Sequence, residues 1–311
     1  MNRSLQHDVE ATPHDVSQHP SRTALVLGGG GSTGNAWLIG VIAGLYEAGL
    51  DVTGADLIIG TSAGSTAAAQ ITAASPSELL ADILSAVIPQ RSAQVASDRG
   101  RGASGSVADH LERSSRIIAA AEDAADMRRR FGAVALERAA ASDASERWRA
   151  TVATRLPSRH WPEQAVLITA VDARTGEPVV FDRHSGVDLV DAVAASCSSG
   201  FAYGIGGSRY IDGGYRSNAE NADLAGGYER VLVLSPFGGR TLVPLNWGMH
   251  LAAQVDALRA GGSRVETIFP ERSAEHLYGV SSMDPSLRPP SARAGYDQGR
   301  ALAERLTEFW R

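Results

Sequence analysis

The chain has 311 residues, 43% hydrophobic and 21% charged, with a formal net charge of −6 at pH 7; this is an ordinary globular composition, and the length allows one large α/β domain or two small ones. The acidic balance leaves no basic footprint for nucleic acid. All 29 basic residues are arginine, which excludes a Walker-A loop, whose lysine sits on the phosphates, and Schiff-base catalysis, which needs an amine.

Residues 1–21, with His7, His14 and His19, are polar, lack the apolar core of a signal peptide and read as a disordered tail. Thr23 to Leu27 reads as a strand and runs straight into four glycines, Gly28 to Gly31. Residues 35–48 read as a helix with Trp37, Ile39, Val41, Ile42, Leu45 and Tyr46 on a broad apolar face, stopped by Gly49. A second strand over 56–59, a tight turn over 60–64 and an alanine-rich helix over 65–74 follow. Such a βαβα start implies a parallel sheet buried on both faces.

Residues 77–87 and 107–149 read as mostly helical. Between them, 89–106 is rich in Gly, Ser and Arg and has no apolar period, so it reads as a surface loop, with a lid as the sharper alternative. Arg128, Arg129 and Arg130 form a basic run on a helix, a solvated face or a contact for anionic head groups. After Pro162, strands over 165–172 and 178–181 flank a hairpin-type turn; a helix over 189–196 and strands over 209–211 and 231–235 come next. A helix over 247–260, a strand over 264–269 and a closing helix over 292–310 complete the chain. With no repeat and no long linker, one domain over 22–311 with a helical insertion at about 77–160 is the simplest organisation. The lone cysteine, Cys197, lies among small residues and reads as packed rather than reactive; no Cys/His cluster has structural-zinc spacing. No apolar run reaches the length of a membrane span, and the cytoplasm is the expected address.

Chemistry concentrates in three places. Gly60-Thr61-Ser62-Ala63-Gly64 has the form G-x-S-x-G between a strand and a helix, the context of a nucleophile elbow, in which a sharp turn projects Ser62 from the sheet edge. Gly29 to Gly31 follow the neighbouring strand, where close-approaching N–H groups can serve as an oxyanion hole. Residues 29–34 also fit G-x-G-x-x-G, but the second strand ends in Gly60-Thr61-Ser62 rather than in the acid that a dinucleotide site needs. Asp212, followed by Gly213 and Gly214, is the candidate base; an ordinary Asp-Gly turn is the plainer reading. The order Ser62, Asp212, His250 would mimic an α/β-hydrolase triad, yet only one βα unit precedes Ser62, and His250 falls inside a helical pattern.

The order G-G-G-G-x-x-G, G-T-S-A-G, D-G-G, with "WLIGVIAGLYEAGL", "AASCSSGF" and Asn218, resembles the patatin-like phospholipases over most of Thr23 to Asn221. The resemblance implies a three-layer α/β/α fold with a mainly parallel sheet, and a lipid acyl hydrolase without metal or organic cofactor. It assigns Ser62 as nucleophile, Asp212 as base and Gly29, Gly30 and Gly31 as oxyanion loop, with Gly34, Gly60, Gly64, Gly213 and Gly214 supporting the motifs. Substrates would be lipid or other carboxylic esters, with peripheral membrane contact through 89–106 or the arginine run. Thr33 stands where the family carries Arg or Lys, Ser199 and Ala219 where it carries Pro. Thr33 keeps a second reading open, a non-catalytic lipid-binding or regulatory relative.

Overall fold

The described residues are 22–86, 107–141 and 144–311 of a computed structural model; the tail with its histidines and the loop over 89–106 lie outside them. Their strands form one sheet: β1 (Thr23–Leu27), β2 (Leu57–Gly60), β3 (Ala165–Asp172), β4 (Pro178–Phe181), β5 (Tyr203–Ile205), β6 (Ser208–Asp212), β7 (Arg230–Leu234) and β8 (Arg264–Ile268). β3, β2, β1, β7 and β8 lie side by side in parallel. β4, β5 and β6 add antiparallel pairings around β3.

The period-2 alternation of short apolar strands fills both faces. Leu25 and Leu27 of β1, Ile58 of β2, and Leu232 and Leu234 of β7 enter one core; Ala24 and Val26, Leu57 and Ile59, and Val231 and Val233 enter the other. Helices α1 (Gly31–Glu47), α2 (Ala63–Ile71), α3 (Pro76–Ser85), α7 (Leu189–Ser196) and α9 (Arg288–Trp310) cover the first face. The second is covered by α8 (Leu251–Ala260) and the 3₁₀ turn Ala222–Ala225. The fold is therefore a three-layer α/β/α sandwich on a mainly parallel sheet. Helices α4 (Val107–Ala119), α5 (Ala124–Ala141) and α6 (Ser145–Ala153) lie in sequence between β2 and β3; α4 and α5 contribute to a third apolar cluster with Val171, Ile211 and Tyr215.

Several elements depart from the sequence expectation: α1 begins at Gly31 rather than 35, and α2 spans Ala63–Ile71 rather than 65–74. Helix α9 begins at Arg288 rather than 292, because Pro289 and Pro290 occupy its first turn, where a missing N–H costs nothing. The expected helix over 247–260 begins only at Leu251: Leu245–Trp247 is a 3₁₀ turn, and Gly248 at φ 68 ends it. His250 is thus the N-cap of α8 and not an interior helical residue. Strand β5, three residues with a central glycine, carried no sequence signal.

The pairing of β3 positions the chemistry. Gly60 of β2 and Phe181 of β4 both pair with Ile168, so β2 and β4 occupy opposite edges of β3. Val179 and Asp212 both pair with Ala170, so β4 and β6 are also opposite. Hence β2 and β6 share one edge of β3 and meet end to end. The last residue of β2 and the last of β6 flank the level of Thr169, roughly 7 Å apart along the strand. The loops that leave these two ends must share one small space.

α1 and α9 approach backbone to backbone through glycines spaced four apart. A Cβ on Gly44 would lie 2.2 Å from the Tyr296 carbonyl oxygen, and one on Gly299 would lie 2.3 Å from that of Val41. Backbone cannot yield at such distances, so Gly44→Ala is expected to destabilise the fold by roughly 1–3 kcal/mol despite alanine's better helix propensity. Gly54→Ala, where nothing lies within 4 Å, should change stability by less than about 1 kcal/mol. Urea denaturation of the two variants measures the contrast; equal stabilities would mean that the helices are not in close backbone contact.

Candidate active site

Ser62 follows β2 by two residues and begins α2, with backbone angles φ 52 and ψ −116. A side chain held at such angles carries strain on the order of 1–3 kcal/mol, sustained only where neighbours over-determine it. They do so here. The Ser62 N–H donates to Ser196 Oγ at 2.9 Å, and its carbonyl accepts from Ser65 N–H at 2.9 Å, from Ser65 Oγ at 2.6 Å and from Cys197 Sγ at 3.1 Å. Glycine on both sides is obligatory: a Cβ on Gly64 would lie 1.9 Å from the Leu27 carbonyl oxygen, and one on Gly60 2.6 Å from Ser65 Cα. Cys197 is a packed support for this turn, and burial pushes its thiol up to about 11.

Asp212 closes β6, and its carboxylate meets the serine directly. Ser62 Oγ donates to Asp212 Oδ2 at 2.9 Å, and Gly214 N–H donates to Oδ1 at 2.9 Å. Gly213 is needed because a Cβ there would lie 2.2 Å from the Thr169 carbonyl oxygen. Desolvation lifts the Asp212 carboxyl to about 6, against the lowering effect of the Gly214 and Ser62 bonds. Among the described residues, Ser62 and Gly214 rather than His250 bond the Asp212 carboxylate, and His250 Nδ1 is buried without a partner.

The glycine loop lies against the serine. A Cβ on Gly29 would sit 3.6 Å from Ser62 Cβ, and one on Gly30 2.5 Å from Pro236 Cβ; Gly34 packs on the same proline. The three loop amides are not equivalent. Gly29 N–H donates to the Ala219 carbonyl at 2.9 Å, so Gly29 does not supply a free oxyanion donor as expected. Among the described residues the amides of Gly30 and Gly31 have no acceptor, and Gly31, at φ 66, turns the chain into α1. Among the described residues, no group of three or more His, Cys, Asp or Glu side chains could hold a metal ion. No helix there is long and apolar enough to cross a membrane.

A family model described as patatin-like phospholipase matches residues 25–223, a span that begins in β1 and contains the glycine loop, Ser62 and Asp212. The chain belongs to the patatin-like phospholipase family. No curated protein matches it. Among solved structures, VipD from Legionella pneumophila aligns at 13% identity over 92% of this chain and 67% of that one, with a TM-score of 0.43. The type III effector protein ExoU aligns at 15% identity over 92% of this chain and 53% of that one, with a TM-score of 0.36.

Against the patatin-like pattern, Thr33 is buried, its N–H donates to the Ser282 carbonyl at 3.0 Å, and its hydroxyl has no partner among the described residues. A guanidinium nevertheless reaches this turn from α9: Arg288 donates to the Ser32 carbonyl at 2.8 Å and to Asn35 Oδ1 at 3.0 Å. Burial lowers Arg288 to about 10, which leaves it cationic at neutral pH. Asn218 holds the buried Glu220, whose carboxyl is raised by burial and whose Cγ fills the space beside Gly28. The arginine run is not one basic patch. Arg128 turns inward to the Gly176 and Arg216 carbonyls, while Arg129 and Arg130 pair with Asp126. Sequence reasoning missed Ser196, Glu220, Asn221 and Arg288. Ser196 lies inside the "AASCSSGF" segment and Glu220 and Asn221 follow Asn218, whereas Arg288 is far from every recognised motif.

The folded state holds the Asp212 proton more tightly than the unfolded chain does, so this group's contribution to stability is present below 3.8 and lost as pH rises through about 6. Asp212→Asn removes that loss. At about pH 8 it should stabilise the protein by up to about 3 kcal/mol, and the difference should vanish towards about pH 3.5. Denaturant unfolding at both pH values measures it; no gain at the higher pH would mean that the carboxylate is well solvated.

Proposed function

We propose that the chain is a lipid acyl hydrolase, a phospholipase A or lipolytic esterase, in which Ser62 is the nucleophile and Asp212 the base. The single observation that carries this reading is the 2.9 Å hydrogen bond from Ser62 Oγ to the desolvated Asp212 carboxylate. A carboxylate near its ordinary value is a feeble base at neutral pH; one raised to about 6 is stronger and still ionised at pH 7. As Ser62 Oγ bonds to the ester carbonyl carbon, its proton passes to Asp212 Oδ2. The carbonyl π pair moves onto oxygen, and the Gly30 and Gly31 N–H groups receive the resulting oxyanion. Collapse expels the alcohol, which takes the proton from Asp212 and leaves an acyl-Ser62. Water, deprotonated by the same carboxylate, then releases the carboxylic acid and restores the serine.

The rival reading, a non-catalytic lipid-binding or regulatory relative, rests on Thr33. Arg288 places a cation at the same turn from another helix, so the exchange at position 33 leaves the turn charged. We therefore favour the enzyme. The domain organisation is proposed with it: one domain over 22–311, with a helical insertion at about 77–160. Lipid substrate would be met by peripheral contact with a membrane or micelle.

Ser62→Ala and Asp212→Asn should each lower hydrolysis of p-nitrophenyl esters and phospholipids by at least about 10³-fold. Equal slow turnover by wild type and Ser62→Ala would overturn the proposal. In wild type, kcat/KM should fall about tenfold per pH unit below an apparent pKa near 6, because protonation removes the base. A pH–rate profile flat down to about pH 4.5 would exclude Asp212 from that role.

A further inference from the structure

Asn221 lies between β6 and β7, outside any strand, yet it is fully buried. Its backbone is left-handed, at φ 52 and ψ 39. Among the described residues, Ser62 and Asn221 are the only non-glycine residues with positive φ. What holds Asn221 there is its amide. Nδ2 donates to Thr61 Oγ1 at 3.0 Å and to the Gly213 carbonyl at 3.0 Å, with Thr169 Oγ1 at 3.3 Å sharing a proton. Thr61 Oγ1 and Thr169 Oγ1 also bond to each other at 2.9 Å.

These three acceptors belong to the three pieces of the junction. Thr61 precedes Ser62, Gly213 follows Asp212, and Thr169 is the β3 residue between the ends of β2 and β6. The amide's orientation is fixed from behind: Oδ1 accepts from Arg216 at 3.0 Å, and Arg216 forks onto Asp223 with two bonds of 2.9 Å. Reversing the amide would set Oδ1 against the Gly213 carbonyl and NH₂ against a guanidinium, so only one orientation satisfies the amide's own donors and acceptor.

We propose that Asn221 is a positioning residue for the reaction, its amide clamping the Ser62 turn and the Asp212 turn onto β3 so that hydroxyl and carboxylate stay in contact. The inference rests on the reading of Ser62 and Asp212 as the reacting pair. It adds a residue that touches neither substrate nor reacting atoms and acts through the Thr61 and Thr169 hydroxyls and the Gly213 carbonyl. A purely structural residue would affect stability alone. A positioning residue affects kcat in molecules that are fully folded.

The test uses the full chain as wild type, Ser62→Ala, Asn221→Ala and Thr169→Val, each checked for folding by near-UV circular dichroism. Labelling by a fluorophosphonate probe and the kcat and KM for a short p-nitrophenyl ester are measured across pH. Folded Asn221→Ala should lose on the order of 10- to 100-fold in labelling rate and kcat, with KM within about twofold of wild type. The acid limb of its profile should move to higher pH, because a displaced Asp212 loses the Ser62 and Gly214 bonds that hold its carboxyl down. If Asn221→Ala does not fold, Thr169→Val carries the test: it conserves shape, removes one acceptor, and should lose several-fold in kcat, with Thr169→Ser restoring most of it. A folded Asn221→Ala or Thr169→Val that matches wild type in labelling, kcat and acid limb overturns the inference alone. Failure of folded wild type to label at Ser62 overturns the dyad reading itself, and the clamp with it.

Discussion

Two strands that end head to head on one edge of β3 set the terms for everything else in the molecule. β2 runs parallel to β3 and stops opposite Ile168; β6 runs antiparallel and stops opposite Ala170. Residues 62 and 212, separated by 150 positions, are thereby brought to a 2.9 Å hydrogen bond without any loop having to reach. The gap between the ends is closed by polar groups that are fully buried, Thr61, Thr169 and Asn221, hydrogen-bonded to one another. A polar network of this kind is stabilising only when every member is satisfied, and it rigidifies the junction it fills.

The junction concentrates cost as well as order. Ser62 and Asn221 adopt backbone angles that side chains disfavour, and Asp212 is a carboxylate removed from water. Each lowers stability on the order of 1–3 kcal/mol, a large share of what a domain of this size holds in reserve. The rest of the fold supplies rigidity instead. α1, which begins in the glycine loop, is locked against α9 by reciprocal glycines and by Trp37 Nε1 donating to Gln298 Oε1 at 3.1 Å. The strain sits at the functional candidate, and the close packing that tolerates it lies behind the sheet. In the proposed reaction that arrangement is useful: a rigid oxyanion loop needs no reorganisation when charge develops.

Legibility from sequence followed the range of the forces involved. The β1–glycine–α1 and β2–Gly-x-Ser-x-Gly–α2 units were readable because their signals are local: apolar runs, then glycines where a turn needs them. Asp212 was readable through Gly213 and Gly214, which make room for its turn. Long-range contacts left no local trace. Nothing near Gly29 shows that its amide is spent on Ala219, and nothing near Arg288 shows that it reaches Ser32. The periodic pattern over 247–260 hid Gly248, whose left-handed turn delays α8 and leaves His250 at a cap. Arg128 read as part of a charged face, but its partners are backbone carbonyls far along the chain. Glycines at 40, 44, 295 and 299 look like helix weaknesses until the two helices are seen together.

The most direct test is the crystal structure of the protein after reaction with an alkyl fluorophosphonate. Ser62 Oγ should be bonded to phosphorus, with the phosphonyl oxygen within about 3 Å of the Gly30 and Gly31 amides and the Asp212 carboxylate beside the ester oxygen of the adduct. An adduct on another residue, or a phosphonyl oxygen turned away from the glycine loop, would contradict the proposed reaction.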